Sequence, residues 1–315
     1  MKIPLIVILG PTASGKTEVS LELSELMDIE IISADSRQIY KYLDIGTAKP
    51  TKEELSKVKH HFIDIIKPDE YYSAGRFGIE SEATANEIIQ KNKIPVAVGG
   101  SGLYIKAMCE GLFDDFIESK RVLTRKELQA RFEKEGIEPL YEELKKVDLP
   151  SAEFYTDKNP RRILRALEFW YSAGKTLSES YKTKNTPKDF NILYFGIDLE
   201  REVLYERINQ RSQKMWDSGL PQETERILNM GNSPTLNSLN TVGYKESIEY
   251  LNGTITKDTA LDKIKLNTRH YAKRQMTWFR KNEKIVWLSG NSKEISGEIG
   301  KIHKENKMNK NLIEE

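Results

Sequence analysis

Residues 10–17 read Gly10-Pro11-Thr12-Ala13-Ser14-Gly15-Lys16-Thr17, which fits G-x-x-x-x-G-K-[ST]. The spacing suits polyphosphate binding. Glycines let successive backbone N–H groups turn inward around an anion, the lysine adds a point charge to the outer phosphates, and the threonine hydroxyl can ligate Mg²⁺. The plainer alternative is a flexible glycine turn between a strand and a helix. In a usual nucleotide hydrolase, a later apolar strand ends in a carboxylate that holds the magnesium water shell. Here the run at 94–98 leads into Gly99-Gly100-Ser101-Gly102 and offers no acid. A motor or switch is therefore disfavoured.

A different acid is available. The run at 29–33 is followed by Ala34-Asp35-Ser36-Arg37-Gln38, which puts Asp35 at the carboxyl edge of a sheet, where open α/β sheets bind their ligands. Asp35 is the candidate general base, with Ser36, Arg37 and Gln38 as neighbouring hydrogen-bonding groups. Position alone also allows Asp35 to be a cap on a following helix.

These residues need a scaffold. β-Branched runs at 5–9, 29–33, 61–66 and 94–98 alternate with helical patterns at 17–27 and 75–91, which predicts a parallel sheet with helices on both faces. From residue 113 the apolar spacing becomes helical amid many charges and reads as an insert over 113–189. Within it, Asn159-Pro160 starts a helix that Gly174 ends. A strand at 191–197 returns to the sheet, helices follow at about 201–230 and 261–281, and a last strand is expected at 284–288. The expected domains are thus a core of 1–112 and 190–290, the helical insert 113–189, and a mobile tail or loose helix over 291–315, where charged and small residues prevail.

The chain has 315 residues, 49 Lys plus Arg against 48 Asp plus Glu, and a mean hydropathy of -0.58. The first apolar stretch is far shorter than the ~20 residues that span a bilayer and too short for a secretory signal. No membrane partner and a cytoplasmic protein are expected. Cys109 is the only cysteine, which excludes an internal disulfide and a cysteine-rich zinc site.

The near-neutral total hides a basic helix. Residues 264–284 hold seven basic residues and one acid, Glu283. At 100° per residue, Lys265, Arg269, Lys273, Arg280 and Lys284 share one face, with Ile264, Tyr271, Trp278 and Phe279 roughly opposite. A one-sign stripe opposite an aromatic stripe reads as a helix packed on the core that presents cations to a polyanion. A solvated face is the alternative. Arg161, Arg162 and Arg165 on the insert helix extend the first reading to a channel for a nucleic-acid backbone. Arg207 and Arg211 suit either that channel or the phosphate loop.

At this point the chain resembles the tRNA dimethylallyltransferases, also called tRNA isopentenyltransferases, of bacterial or organellar type. The matching motifs are GPTASGKT at 10–17, SADSRQIY at 33–40, DIGTAKP at 44–50, VGGSGLY at 98–104, NPRRILRALE at 159–168, GYKE at 243–246 and NTRHYAKRQMTWFR at 267–280. The resemblance implies an α/β, P-loop NTPase-like fold with a helical insert, in which a prenyl diphosphate occupies the place where relatives of the loop hold ATP. It implies transfer of a dimethylallyl group to N6 of the adenosine 3′ of the anticodon, tRNA position 37, in tRNAs reading codons that begin with U. Dimethylallyl diphosphate and the tRNA anticodon stem-loop are the implied partners, Mg²⁺ the implied cofactor, and a monomer the expected state.

The implied roles follow residue by residue. Asp35 accepts the N6 proton. Gly10, Pro11, Thr12, Ala13, Ser14, Gly15, Lys16, Thr17 and Arg211 hold the diphosphate, with Mg²⁺ on Thr17, and Ser101 lies near the reacting adenosine. The implied tRNA contacts are Asp35, Ser36, Arg37, Gln38 and Ser101; Asn159, Pro160, Arg161, Arg162 and Ile163; Val242, Gly243, Tyr244, Lys245 and Glu246; and Lys273, Arg274, Gln275, Thr277, Trp278 and Arg280. Ser101 stands where the family often has Thr, and its hydroxyl is retained. Residues 113–125 lack the family's proline-containing linker, so the arginine expected there is Arg121 or Arg125. The zinc finger of eukaryotic members is absent. Three other functions compete: a P-loop small-molecule kinase, an enzyme that prenylates free adenine nucleotides, and a nucleotide-switched RNA-binding protein. The first two leave the basic helix without a task. The third predicts nucleotide-dependent affinity with no product.

Overall fold

The structure, a computed structural model, describes residues 3–112, 118–182 and 190–314. In chain order the elements are β1 (Ile3–Leu9), α1 (Lys16–Leu26), β2 (Ile29–Ser33), α2 (Lys52–Lys57), β3 (His60–His61), α3 (Ala74–Gln90), β4 (Ile94–Gly99), α4 (Gly102–Glu110), α5 (Glu118–Glu135), α6 (Glu138–Val147), α7 (Leu149–Phe154), α8 (Pro160–Ala173), α9 (Leu177–Lys182), β5 (Phe190–Ile197), α10 (Arg201–Asp217), α11 (Leu220–Asn229), α12 (Tyr244–Leu251), α13 (Lys257–Phe279), β6 (Ile285–Leu288) and α14 (Ser292–Glu314). The strands form one six-stranded sheet in the order β3-β2-β4-β1-β5-β6. Every pairing is parallel. β2 is buried along its whole length, as a strand covered on both faces should be, and its one charged residue, Glu30, meets His61 at 2.8 Å.

Two expected elements differ. Of the run at 61–66 only His61 pairs as a strand, together with His60 before it, because Phe62 and Asp64 take φ of 64° and 56°, values that extended backbone excludes; one bridge, Tyr40 to Ile66, continues beyond them. The single helix expected over 201–230 is broken at Gly219, where φ is 98°, and α11 restarts with Pro221 in its first turn.

The chain divides into two compact units. One comprises Met1–Glu70, Glu80–Ile105 and Lys188–Glu315; the other comprises Tyr71–Ile79 and Lys106–Pro187. The first has a core built from both ends of the chain: Ile6, Ile8, Val19, Leu23, Ile31, Val96 and Phe195 pack with Ile295 and Ile299. The segment expected as a mobile tail is thus the helix α14, packed against α1. Ile295 and Ile299 are one helical turn apart, so even a sparse apolar pattern gives this helix a buried edge.

The second unit is helical around Leu128, Leu140, Leu144, Ile163, Leu167 and Phe169. Its α8 starts as its sequence predicts: Asn159 caps it by accepting the Arg161 N–H at 3.1 Å, Pro160 occupies the first turn, and Gly174 ends it at φ 66°. Residues 113–117, at the departure from the family's linker, and the side chain of Arg121 lie outside the described residues.

Candidate active site

The strand registers bring three loops level at the carboxyl edge of the sheet. Ser33 pairs with Val98 and Leu9 with Gly99, so the chain leaves β2, β4 and β1 side by side, at neighbouring positions in the sheet order. The loop after β1 is the phosphate loop, that after β2 carries Asp35, and that after β4 is the Gly-Gly-Ser turn. At Gly99 a Cβ would collide with the carbonyl of Ala34, so glycine allows the second and third loops to approach.

In the phosphate loop Ala13 and Gly15 take φ of 65° and 94°, the alternation that turns backbone N–H groups inward, and α1 begins at Lys16. The Lys16 ammonium donates to the Pro11 carbonyl at 2.6 Å and reaches Ser14 Oγ at 3.4 Å. Burial first and the Arg211 guanidinium second lower its pKa to about 7, with Asp35 opposing both. Arg211 is itself held below its ordinary range by burial, again opposed by Asp35. Arg207 also reaches the loop, with Nη1 3.5 Å from where a Cβ on Gly15 would stand. The first unit therefore places Arg207 and Arg211 of α10 at the phosphate loop.

No helix follows Asp35. Its Oδ1 accepts the Arg37 N–H at 2.8 Å in a local turn, which leaves Oδ2 outside that turn. Capping does not explain the residue. Ser101 Oγ accepts the Ser36 N–H at 3.0 Å and lies 3.3 Å from Ser36 Oγ, which ties the Gly-Gly-Ser turn to the loop carrying Asp35. Tyr271 of α13 faces both. Burial, with the Asp35 charge adding to it, pushes its phenol up to about 12, so it keeps its proton throughout the neutral range.

α13 closes this group of loops. Gln275, only 6% exposed, accepts the Thr12 N–H on Oε1 at 2.9 Å and donates from Nε2 to the Gly100 carbonyl at 2.8 Å. The indole of Trp278 lies where a Cβ on Gly102 would stand. On the outer side of the same helix, Lys273, Arg274 and Thr277 are exposed, as are Trp278 at 46% and Arg280 just past its end.

The basic stripe is narrower than its sequence predicts. Arg269 turns inward: its Nη2 donates to Asn209 at 3.0 Å, its guanidinium lies 5.6 Å from the Tyr205 ring centre, and its buried Nε has no hydrogen-bond partner among the described residues. Lys284 lies beyond the end of α13. Ile264 and Phe279 are core residues, whereas Tyr271 is half-buried at the site and Trp278 is on its rim.

Several residues expected to touch tRNA are used inside the protein. Gln38 accepts from Ser33 Oγ at 3.0 Å and donates to the Ala48 carbonyl at 3.2 Å. Tyr244 is fully buried with its hydroxyl on Glu223. Glu246 accepts the Gly243 N–H and the Asn267 amide, both at 2.8 Å. Ile163 is in the core of the second unit, and both ends of the Gln275 amide are engaged. Residues with exposed side chains are Lys245, Arg161, Arg162 and Arg125; Val242 is half-buried. Arg37 donates to the Asn237 carbonyl at 2.6 Å.

The residues fit magnesium only as a companion of phosphate. Among the described residues no group of three or more His, Cys, Asp or Glu side chains can hold a metal ion. The hydroxyl of Thr17, at the start of α1, is a hard oxygen donor of the kind Mg²⁺ takes when substrate phosphates supply the remaining ligands.

A parallel α/β sheet with a phosphate loop after its central first strand, a carboxylate two strands away at the same edge and a late helix with outward cations defines a P-loop protein with an acid near its phosphate site and a surface suited to a polyanion. Comparison with known proteins places it more closely. The family model for IPP transferase matches residues 38–282, and the chain belongs to that family. It is 42% identical over 297 residues to a tRNA dimethylallyltransferase of Thermotoga maritima, covering 94% of this chain and 95% of that protein. It is also 42% identical over 290 residues to one of Pelotomaculum thermopropionicum, covering 91% of each. Among solved structures, the full-length tRNA isopentenylpyrophosphate transferase of Bacillus halodurans superposes with a TM-score of 0.72 at 36% identity, covering 99% of both chains. A eukaryotic dimethylallyltransferase acting on tRNA gives 0.75 at 26% identity, covering 91% of this chain and 74% of that one.

Proposed function

We infer that the protein transfers a dimethylallyl group from dimethylallyl diphosphate to N6 of the adenosine at tRNA position 37, in tRNAs reading codons that begin with U. The observation that carries this reading is the convergence of Lys16, Arg211 and Asp35 at one edge of the sheet, beneath a helix whose outer side bears Lys273, Arg274 and Arg280. It joins a site for a leaving diphosphate, a proton acceptor and cations for an RNA backbone.

In the reaction the bond from N6 to the allylic carbon forms as the carbon–oxygen bond to diphosphate breaks. The N6 lone pair is delocalised into the adenine ring, so a carboxylate that takes the proton assists attack by about 10²- to 10⁴-fold. Asp35 is that acceptor, through the oxygen outside its local turn. Negative charge collects on the departing diphosphate, where the loop N–H groups, Lys16, Arg207 and Arg211 stabilise it. Bound Mg²⁺, with Thr17 as its protein ligand, would supply further charge neutralisation on the phosphate oxygens. The target base must leave the loop stack to reach the carboxylate, with neighbouring bases held by stacking and edge contacts. The exposed Trp278 indole offers one such surface.

The test is incubation of the protein with labelled dimethylallyl diphosphate, Mg²⁺ and an anticodon stem-loop. Label on the adenosine 3′ of the anticodon is expected. RNA affinity without labelled product would replace this reading with a binding function. The proposal includes a monomeric enzyme acting in the cytoplasm, and sedimentation of the purified chain tests the first point. Among the described residues no helix is long and apolar enough to cross a membrane.

A further inference from the structure

We propose that Gln275 is a positioning residue: its side-chain amide sets the separation between the phosphate loop and the loops that carry Ser101 and Asp35. The proposal rests on the prenyl-transfer reading. It gives Gln275 a task different from the RNA contact implied by its motif.

Three observations meet at this side chain. First, the amide has one backbone partner on each side, accepting from Thr12 of the phosphate loop at 2.9 Å and donating to Gly100 of the Gly-Gly-Ser turn at 2.8 Å. These partners fix its orientation, since only the oxygen can face an N–H and only the nitrogen a carbonyl. Second, a Cβ on Gly100 would stand 2.3 Å from Gln275 Nε2, so a larger residue there displaces the amide from its two partners. Third, the next residue, Ser101, accepts from Ser36, the neighbour of Asp35. A continuous path therefore runs from Thr12 through Gln275, Gly100, Ser101 and Ser36 to the carboxylate. The same amide occupies the Thr12 N–H, which is then not among the donors facing the diphosphate.

This arrangement concerns geometry more than affinity. Prenyl transfer needs the nucleophile aligned with the departing diphosphate, and a displacement of about 1 Å between reacting groups can cost on the order of 10²-fold in rate. The phosphate loop folds around its anion through its own glycines, Lys16 and α1. The residue that relates it to the acceptor side is Gln275. Its loss should leave each substrate bound and misalign the two.

Gln275→Met keeps the length and removes both hydrogen bonds, and Gln275→Asn keeps the amide but is too short to span both loops. With saturating stem-loop, both variants of the full chain should lose about 10²-fold in kcat while KM for dimethylallyl diphosphate and Kd for the stem-loop change less than about threefold. Gly100→Ala, which pushes on the amide from the other side, should lower kcat alike, and the double variant Gly100→Ala, Gln275→Met should be little worse than the poorer single one. Unchanged kcat in both Gln275 variants overturns the proposal. So does a weaker stem-loop Kd with kcat restored at saturation, which would make Gln275 an RNA contact. Parallel loss of kcat, KM and melting temperature would also overturn it, leaving general stability as the explanation. Failure of the wild-type chain to transfer label would instead sink the functional reading itself.

Discussion

The Tyr244 hydroxyl donates to the Glu223 carboxylate at 2.5 Å, and both side chains are buried. The same carboxylate accepts the backbone N–H groups of Asp44, Ile45 and Gly46 at 2.9–3.2 Å. At Gly46 a Cβ would collide with the Tyr244 ring. Two sequence motifs, DIGTAKP and GYKE, are therefore joined through an acid from α11, where both could have been read as surface contacts.

Glu223→Ala leaves three backbone N–H donors and a buried phenol without their acceptor, and should destabilise the fold by about 2–3 kcal/mol. Tyr244→Phe removes one donor from a carboxylate that keeps three, and should cost about 1–2 kcal/mol. Urea unfolding checks both. Equal losses would show that the carboxylate's backbone contacts contribute little.

Asp35→Asn should lower kcat by about 10²- to 10⁴-fold and leave the stem-loop Kd nearly unchanged, because the local turn can form with Asn. Single-turnover kinetics beside a binding titration separate the two. Equal loss of binding and turnover would make Asp35 a recognition group.

Lys16 predicts a pH dependence. Its pKa in the free protein is about 7, and a bound diphosphate favours the charged form and raises it. Below pH 7 the ammonium is already charged and affinity for dimethylallyl diphosphate stays level with respect to this group. Above pH 7 binding must draw a proton to the lysine, so Kd should rise by up to about tenfold per pH unit until the bound-state pKa is reached. Calorimetric titration from pH 6.5 to 9 measures the slope, and Lys16→Met should abolish it.

The outer side of α13 should show as salt dependence. Lys273→Ala and Arg280→Ala should each lower the slope of log affinity against log salt by about 1 for the stem-loop. Arg269→Ala should leave that slope unchanged, since its guanidinium is turned toward Asn209 and Tyr205. A slope insensitive to all three would return α13 to an ordinary solvated face.

Ile299→Ala should cost about 2–5 kcal/mol by opening a cavity beneath α14. The loss is read by thermal or urea unfolding. No loss would mean that α14 contributes little to the core in which Ile299 is fully buried.

The parallel sheet and the phosphate loop were legible in the sequence because each depends on local pattern: β-branched runs, glycine spacing, a helix start. The packed α14 was not, since two isoleucines a turn apart carry a weak signal among charges, and only their packing with Val19 and Leu23 of α1 explains their burial. Glu223 and Gln275 left a subtler trace. Each is a polar residue at a buried phase of its helix, Glu223 beside Leu220, Thr224 and Ile227, and Gln275 in step with Ile264, Ala272 and Phe279. Such a residue needs a partner in the interior, but the partner's identity depends on long-range folding. Arg269 was misread for the converse reason: helical phase places a side chain on a face, and a ring on α10 decided where its guanidinium went.

The position of β1 constrains how the protein can be made. β1 pairs with β4 on one side and with β5, which begins at Phe190, on the other. While the chain emerges from the ribosome, the first strand therefore waits with one edge unpaired until the whole second unit has been synthesised. That unit, almost all of it contiguous in sequence, can gather its own helices in the interval. Closure of the sheet then depends on contacts of long sequence separation, so refolding should be slow, and a chain truncated just before β5 would expose an apolar strand edge prone to aggregation.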